Sequence, residues 1–129
     1  DQMSNKFLFL SIVVVLAYII YNKVKKSFAM KNISANLKQG EQITFLDVRT
    51  KKEFEGFSVT NSINVPVSDI QNKIQKIIPN KETNITVYCQ SGARSLIAHR
   101  ILKNCGYKNV TNIGTVHNAA KLKEKRESA

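Results

Sequence analysis

Cys89 and Arg94 are the residues of this chain whose types and spacing could do chemistry together: a thiol able to become a nucleophile, and a guanidinium charged at every relevant pH. Between them lies Gln90-Ser91-Gly92-Ala93, a short polar stretch with one glycine. A thiol attacks as its thiolate, so something must hold negative charge on Cys89. Upstream, Ile85-Thr86-Val87-Tyr88 is β-branched and aromatic and suits a buried strand. Downstream, Leu96, Ile97, Ile101, Leu102 and Cys105 recur at helical spacing until Gly106. Cys89 is therefore expected where a strand ends and a helix is about to begin. The first amides of a helix have no partner within it, and the helix dipole is positive there. A loop wrapping back over the sulfur adds further N–H groups, a nest for an anion. The expectation is a Cys89 thiol of lowered pKa, with Arg94 holding or steering an anionic substrate. The competing expectation is a small buried residue at a strand end, the commoner fate of a free cysteine.

Other candidate chemistry is sparse. Asp47 and Arg49 lie two residues apart and resemble an acid and its partner. A supporting role is favoured: Asp47 bonding loop amides, and Arg49 pairing with a carboxylate such as Glu53. His99 and His117, the only histidines, fall on solvent-facing positions. Cysteines and histidines lack zinc-ligand spacing, and no phosphate-binding glycine loop occurs, so no metal or cofactor is expected. Cys89 and Cys105 would sit at opposite ends of one helix, beyond the about 7 Å that a disulfide allows. Cys105 reads as a core residue, and two reduced thiols fit a reducing compartment.

The elements that must position Cys89 follow in chain order. Ile33 to Gly40 reads as a helical turn and Ile43 to Val48 as the first core strand. Thr50-Lys51-Lys52-Glu53 is a capping-box pattern opening a short helix that ends at Gly56. Ser62 to Val65 reads as a strand ended by Pro66. Ser68-Asp69-Ile70-Gln71 is a second capping box, for a helix with apolar face Ile70, Ile74, Ile77 and Ile78, stopped by Pro79. After the central strand, loop and helix, Val110 to Ile113 forms a last strand and Val116 to about Lys125 a last helix. Strands alternating with helices through short connections predict an α/β fold: a mostly parallel central sheet flanked by helices on both faces. In such sheets ligands bind beyond the carboxyl ends of the strands, where Cys89 falls.

Length and charge bound the rest. The 129 residues allow one domain and one extra segment. Phe7 to Tyr21 is an apolar run broken only by Ser11 and tyrosine, short of the roughly 20 residues that cross a bilayer. Lys6 and Lys23 can snorkel and Val24 extend the span. The expectation is an N-terminal hydrophobic helix acting as a membrane anchor, continued by a basic linker to residue 32, with a second domain over 33–129. Lys23, Lys25, Lys26 and Lys31 place that linker, and the domain after it, on the cytoplasmic side. The rival is a signal peptide cleaved near Ser27-Phe28-Ala29, which would export the domain. The net charge of +11 is read as this membrane flank plus a solvated surface. Without a nucleic-acid motif or aromatic residues along a basic stripe, no nucleic-acid partner is expected.

The loop Cys89-Gln90-Ser91-Gly92-Ala93-Arg94 resembles the Cys-x-x-Gly-x-Arg active-site loop of the rhodanese (sulfurtransferase) family. Phe45-Leu46-Asp47-Val48-Arg49-Thr50 with Glu53, Phe54 and Gly56, then Ser62-Ile63-Asn64-Val65-Pro66, and finally Gly106 to Val110 and Asn112-Ile113-Gly114 match the family's other segments in order, over about Ile33 to Leu122. The resemblance implies a sulfurtransferase: Cys89 takes sulfane sulfur from thiosulfate or a small persulfide, and a thiol or cyanide removes it. It implies Gln90, Ser91, Gly92, Ala93 and Arg94 as substrate-binding residues and Asp47, Arg49 and Glu53 as structural support. Partners would be a small anionic sulfur donor and a thiol acceptor, any protein partner being unidentified. Related phosphatases and arsenate reductases carry one more residue between cysteine and arginine, a wider loop than Gln90 to Ala93. A non-catalytic tethered module, or a persulfide carrier for a protein partner, is the alternative from another class. The chain departs from the family at Gly56-Phe57-Ser58, where Gly-His-Ile is usual, and at Gly114-Thr115 and Ala120, where a glycine pair and a tryptophan are usual.

Overall fold

The β-branched and aromatic stretches pair side by side as a four-stranded, all-parallel sheet in the order β2-β1-β3-β4: β1 (Thr44–Asp47), β2 (Ile63–Asn64), β3 (Ile85–Cys89) and β4 (Val110–Thr115). The coordinates are a computed structural model describing residues 1–36 and 40–128, with the backbone alone at 27–36. Helices cover both faces, as parallel strands buried on both sides require. They are α2 (Lys51–Gly56), α3 (Ile70–Ile77), α4 (Ala93–Asn104) and α5 (Val116–Glu127), preceded by α1 (Gln2–Asn36). Contact between residues divides the chain into two compact units, Asp1–Asn36 and Leu37–Ala129.

Period-two alternation sorts β3 between the two faces. Ile85, Val87 and Cys89 join Leu46, Val48, Ile70, Ile74, Ala98 and Leu102 in one core cluster. Thr86 and Tyr88 point the other way, and the Tyr88 hydroxyl accepts from the Val59 amide at 3.1 Å. β3 is buried along its whole length, the central strand on which the rest is assembled. Thr50 forms the expected capping box with Glu53, fixing the start of α2.

Some local expectations need correction. The Ser68 capping box does not form: Val67–Asp69 is a 3-10 turn, and α3 starts at Ile70 without a side-chain cap. Ile77 is 42 % exposed, because α3 ends there and Ile78 turns inward in its place. Leu96 and Ile97, members of the apolar repeat that marked the helix, are 46 % and 51 % exposed. Helix α4 instead buries Ser95, Ala98 and Leu102, since small residues let it lie close on the sheet. Helix α1 also runs through the basic segment that follows the apolar run, as far as Asn36. The helical turn expected over Ile33 to Gly40 is helix up to Asn36, and its residues 37–39 lie outside the described residues.

Within α1, Gln2–Lys26 contains an 18-residue segment of mean hydropathy 2.1 and is long and apolar enough to cross a membrane. At 1.5 Å per residue that stretch runs about 38 Å, more than a hydrocarbon core of about 30 Å.

Tyr107 ties α3 to the core. Its hydroxyl donates to the carbonyls of Ile74 (3.2 Å) and Ile78, and the side chain is 1 % exposed. Tyr107→Phe strands the Ile78 carbonyl at a buried helix end and is expected to lower stability by about 1–3 kcal/mol. A urea midpoint unchanged from wild type would contradict this.

Candidate active site

Cys89 is the last residue of β3, and the chain turns immediately after it into α4. The turn depends on Gly92, whose φ of +103° is disfavoured for any residue with a Cβ. That conformation aims the Gly92 amide back at Cys89 and places its nitrogen 3.0 Å from Sγ. The floor of the loop is made by β4. Val87 pairs with Asn112 and Tyr88 with Gly114, so Ile113 is skipped and the strand bulges. The bulge is held by side chains of β4 and α5: Asn112 Oδ1 accepts from the Gly114 amide at 3.0 Å, and Asn118 Nδ2 donates to the Ile113 carbonyl at 3.1 Å. It brings Gly114 under the loop, where a Cβ on Gly92 would sit 3.8 Å from Gly114 Cα. Ser95, fully buried, lies between the two, its single hydroxyl proton within reach of the carbonyls of Gly92 (3.0 Å) and Gly114 (3.3 Å) and of the sulfur.

These groups set the electrostatics of the sulfur. Cys89 has no exposed surface, and burial pushes its pKa up. The Ser95 hydroxyl and the backbone N–H groups of Ser95, Gly92 and Ser91 outweigh that burial, and the thiol falls below its ordinary value. The loop residues Gln90, Ser91 and Ala93 that follow the buried sulfur are exposed.

The charged residues pair differently from the sequence expectation. Arg49 binds Asp47, not Glu53: Nη2 lies 2.7 Å from Oδ2, both side chains are buried, and the Asp47 hydrogen bond holds the guanidinium above its ordinary pKa. Asp47 also accepts from the Arg49 amide at 2.9 Å, the loop-amide contact foreseen for it. Two residues after Asp47 the side chain folds back on its own turn, too short a reach for Glu53 to compete. Arg49 Nη1 donates to Gln90 Oε1 at 3.2 Å, linking this pair to the loop. Glu53 is taken by Arg94, with Nη1 to Oε1 at 2.8 Å and Nη2 to Oε2 at 3.0 Å. That bond holds the Glu53 carboxyl down at about 2. Arg94, expected to hold substrate, thus has both terminal nitrogens on a carboxylate; its charge still lies within electrostatic reach of Cys89.

The structure therefore gathers Cys89, Gln90, Ser91, Gly92, Ala93, Arg94, Asp47, Arg49 and Glu53 around one loop. Sequence reasoning missed Ser95 as a determinant of the sulfur's charge. The available signal was a small hydroxyl in the first turn of an otherwise apolar helix face. Asn64, whose Nδ2 donates to the carbonyls of Asp47 (3.1 Å) and Arg49 (3.0 Å), was also missed. Among the described residues no cluster of His, Cys, Asp or Glu could hold a metal ion, and Cys89 and Cys105 are both free.

Fold and loop together define a class: parallel α/β domains with a cysteine on a strand-to-helix turn lined by backbone donors. The rhodanese-like domain family matches residues 30–114. Over 81 residues the chain is 32 % identical to thiosulfate sulfurtransferase PspE of Escherichia coli, covering 63 % of this chain and 78 % of that protein. It is 32 % identical over 73 residues to the putative sulfur carrier protein YrkF of Bacillus subtilis, but spans only 38 % of that protein's length. A solved rhodanese with anions from E. coli superposes with a TM-score of 0.57 at 30 % identity, over 60 % of this chain and 91 % of that one. The chain belongs to the rhodanese-like domain family.

The lowered Cys89 pKa has a direct readout. Below its pKa, the alkylation rate by iodoacetamide rises tenfold per pH unit and then levels off as the thiolate saturates. The expected midpoint lies below the about 8.5 of a free thiol. A midpoint above that value would show that burial outweighs the donors.

Proposed function

We propose that this protein is a membrane-anchored sulfurtransferase that works through a persulfide on Cys89. The observation that carries this is the Gly92 amide 3.0 Å from Sγ, on a loop where hydrogen bonds outweigh the cost of burying the charge. In the first step the Cys89 thiolate attacks the outer sulfur of thiosulfate or of a low-molecular-weight persulfide. The new bond is Cys89 Sγ–S; the donor's S–S bond breaks, and sulfite or a thiolate leaves with the electron pair. In the second step cyanide or an acceptor thiolate attacks the terminal sulfur, and Cys89 leaves as thiolate. The loop amides stabilise negative sulfur in both states without reorganising, the usual largest contribution to such catalysis. Gln90, Ser91, Gly92 and Ala93 bind the donor, Arg94 acts through its charge while paired with Glu53, and Asp47, Arg49 and Glu53 hold the loop in place. No cofactor enters either step.

The likeness to a putative sulfur carrier supports a second reading, in which the Cys89 persulfide is handed to a protein partner instead of a small acceptor. Both readings share the first step. The N-terminal helix supports the division into an anchor with basic linker, residues 1–32, and a rhodanese-like domain, residues 33–129. The lysines that follow the apolar run support a cytoplasmic catalytic domain.

Cys89→Ser is expected to abolish thiosulfate:cyanide sulfur transfer and the mass gain of about 32 Da that one added sulfur gives the wild type. Equal turnover in both proteins would reject the assignment. For topology, a Glu55→Cys reporter, exposed on α2, is expected to resist a membrane-impermeant thiol reagent in intact cells and to react after permeabilisation. Labelling before permeabilisation would place the domain outside.

A further inference from the structure

The charges around the loop cancel in pairs. Arg49 is matched by Asp47 at 2.7 Å and Arg94 by Glu53 at 2.8 Å. The bidentate geometry uses the fork of Arg94 as fully as a bound oxyanion would. Glu53 is itself held from behind, since its Oε1 also accepts from the Thr50 hydroxyl at 3.1 Å and the Thr50 amide at 3.4 Å. The carboxylate is thus part of the α2 cap and does not swing aside to release Arg94 without opening that cap. Thiosulfate carries two negative charges and must approach a thiolate. Around the loop it meets a lip in which both arginine charges are already answered. The overall charge of +11 draws anions toward the protein, but screening leaves the choice among them to charges within about 10 Å, the arginines of the loop first among them.

We propose that Glu53 is the donor-selecting residue of this site: by occupying Arg94 it disfavours dianionic donors and directs the loop to alkyl persulfides carrying at most one negative charge. This rests on the sulfurtransferase reading above and names its donor class. The step balances with no further reagent. Cys89–S⁻ and R–S–SH give Cys89–S–SH and RS⁻, one S–S bond forming as the other breaks. The departing thiolate carries a single charge, where sulfite would leave with two.

The test compares thiosulfate with 2-hydroxyethyl persulfide as donors to cyanide, using the full chain in detergent at fixed ionic strength. Glu53→Gln removes the charge while keeping a side chain that serves the capping box. It is expected to raise kcat/KM for thiosulfate, relative to that for the persulfide, on the order of tenfold, mainly through the KM for thiosulfate. Glu55→Gln, an exposed carboxylate of the same helix paired with Lys51 at 3.9 Å, is expected to change neither. Should Glu53→Gln unfold, wild type alone decides: sulfate, a dianion, is expected not to compete with the persulfide when chloride of matched ionic strength is the reference. An equal effect of Glu53→Gln on both donors, or strong competitive inhibition of wild type by sulfate, overturns the role of Glu53 while leaving sulfur transfer intact. Absence of the about 32 Da adduct on wild-type Cys89 with either donor overturns the sulfurtransferase reading itself.

Discussion

A sulfur withdrawn from water keeps a negative charge only where fixed donors replace the lost hydration, and the centre of this domain is built to that constraint. Cys89 is fully buried on the core side of the central strand, where desolvation favours the neutral thiol. The donors that reverse this come from one short stretch, Ser91 to Ser95, and are fixed by backbone conformation. Gly92 supplies the left-handed turn, and Ser95 pins the turn to β4. The same N–H groups that stabilise a thiolate suit the terminal sulfur of a persulfide, since both present diffuse negative charge at nearly the same place.

The second layer holds this loop by charge. Two arginines and two carboxylates, drawn from the end of β1, from α2 and from the start of α4, form pairs that join three segments distant in the chain. The Asp47–Arg49 pair is buried and costs desolvation that its hydrogen bonds must offset, so its value is more in geometry than in net stability. It is extended by Gln90 on one side and by the Phe57 carbonyl on the other. The Glu53–Arg94 pair is about one-third exposed and contributes less to stability. Its consequence is electrostatic: no arginine of the loop keeps an unanswered charge.

A β-bulge at Ile113 is what lets these parts meet. A regular β4 would put a side chain where Gly114 now lies beneath Gly92, and Ser95 would lose its second acceptor. The residue usual after this glycine in the family is a second glycine; here it is Thr115, whose side chain caps α5 through the Asn118 amide. The departure from the family pattern therefore serves the next helix and leaves the bulge intact.

Local sequence determined the framework because its causes are local. Strand composition, the Thr50 cap, helical spacing and Gly92 each act within a few residues, and they were enough to define β1, β3, α2, α4 and a cysteine at a strand-to-helix turn. They were not enough to say which face of α4 is buried. Leu96 and Ile97 are apolar but lie outward, because the helix approaches the sheet through Ser95 and Ala98. Nor could spacing assign ion-pair partners: Arg49 had Glu53 four residues away, yet the turn after β1 delivered Asp47, and Glu53 went to an arginine 41 residues on. Which charges meet depends on the relative placement of β1, β3 and β4, a property of the assembled sheet and not of any stretch of chain. The sequence singled out Cys89; only the folded arrangement decided what surrounds its charge, since a hydrogen bond needs its donor and acceptor brought to about 3 Å.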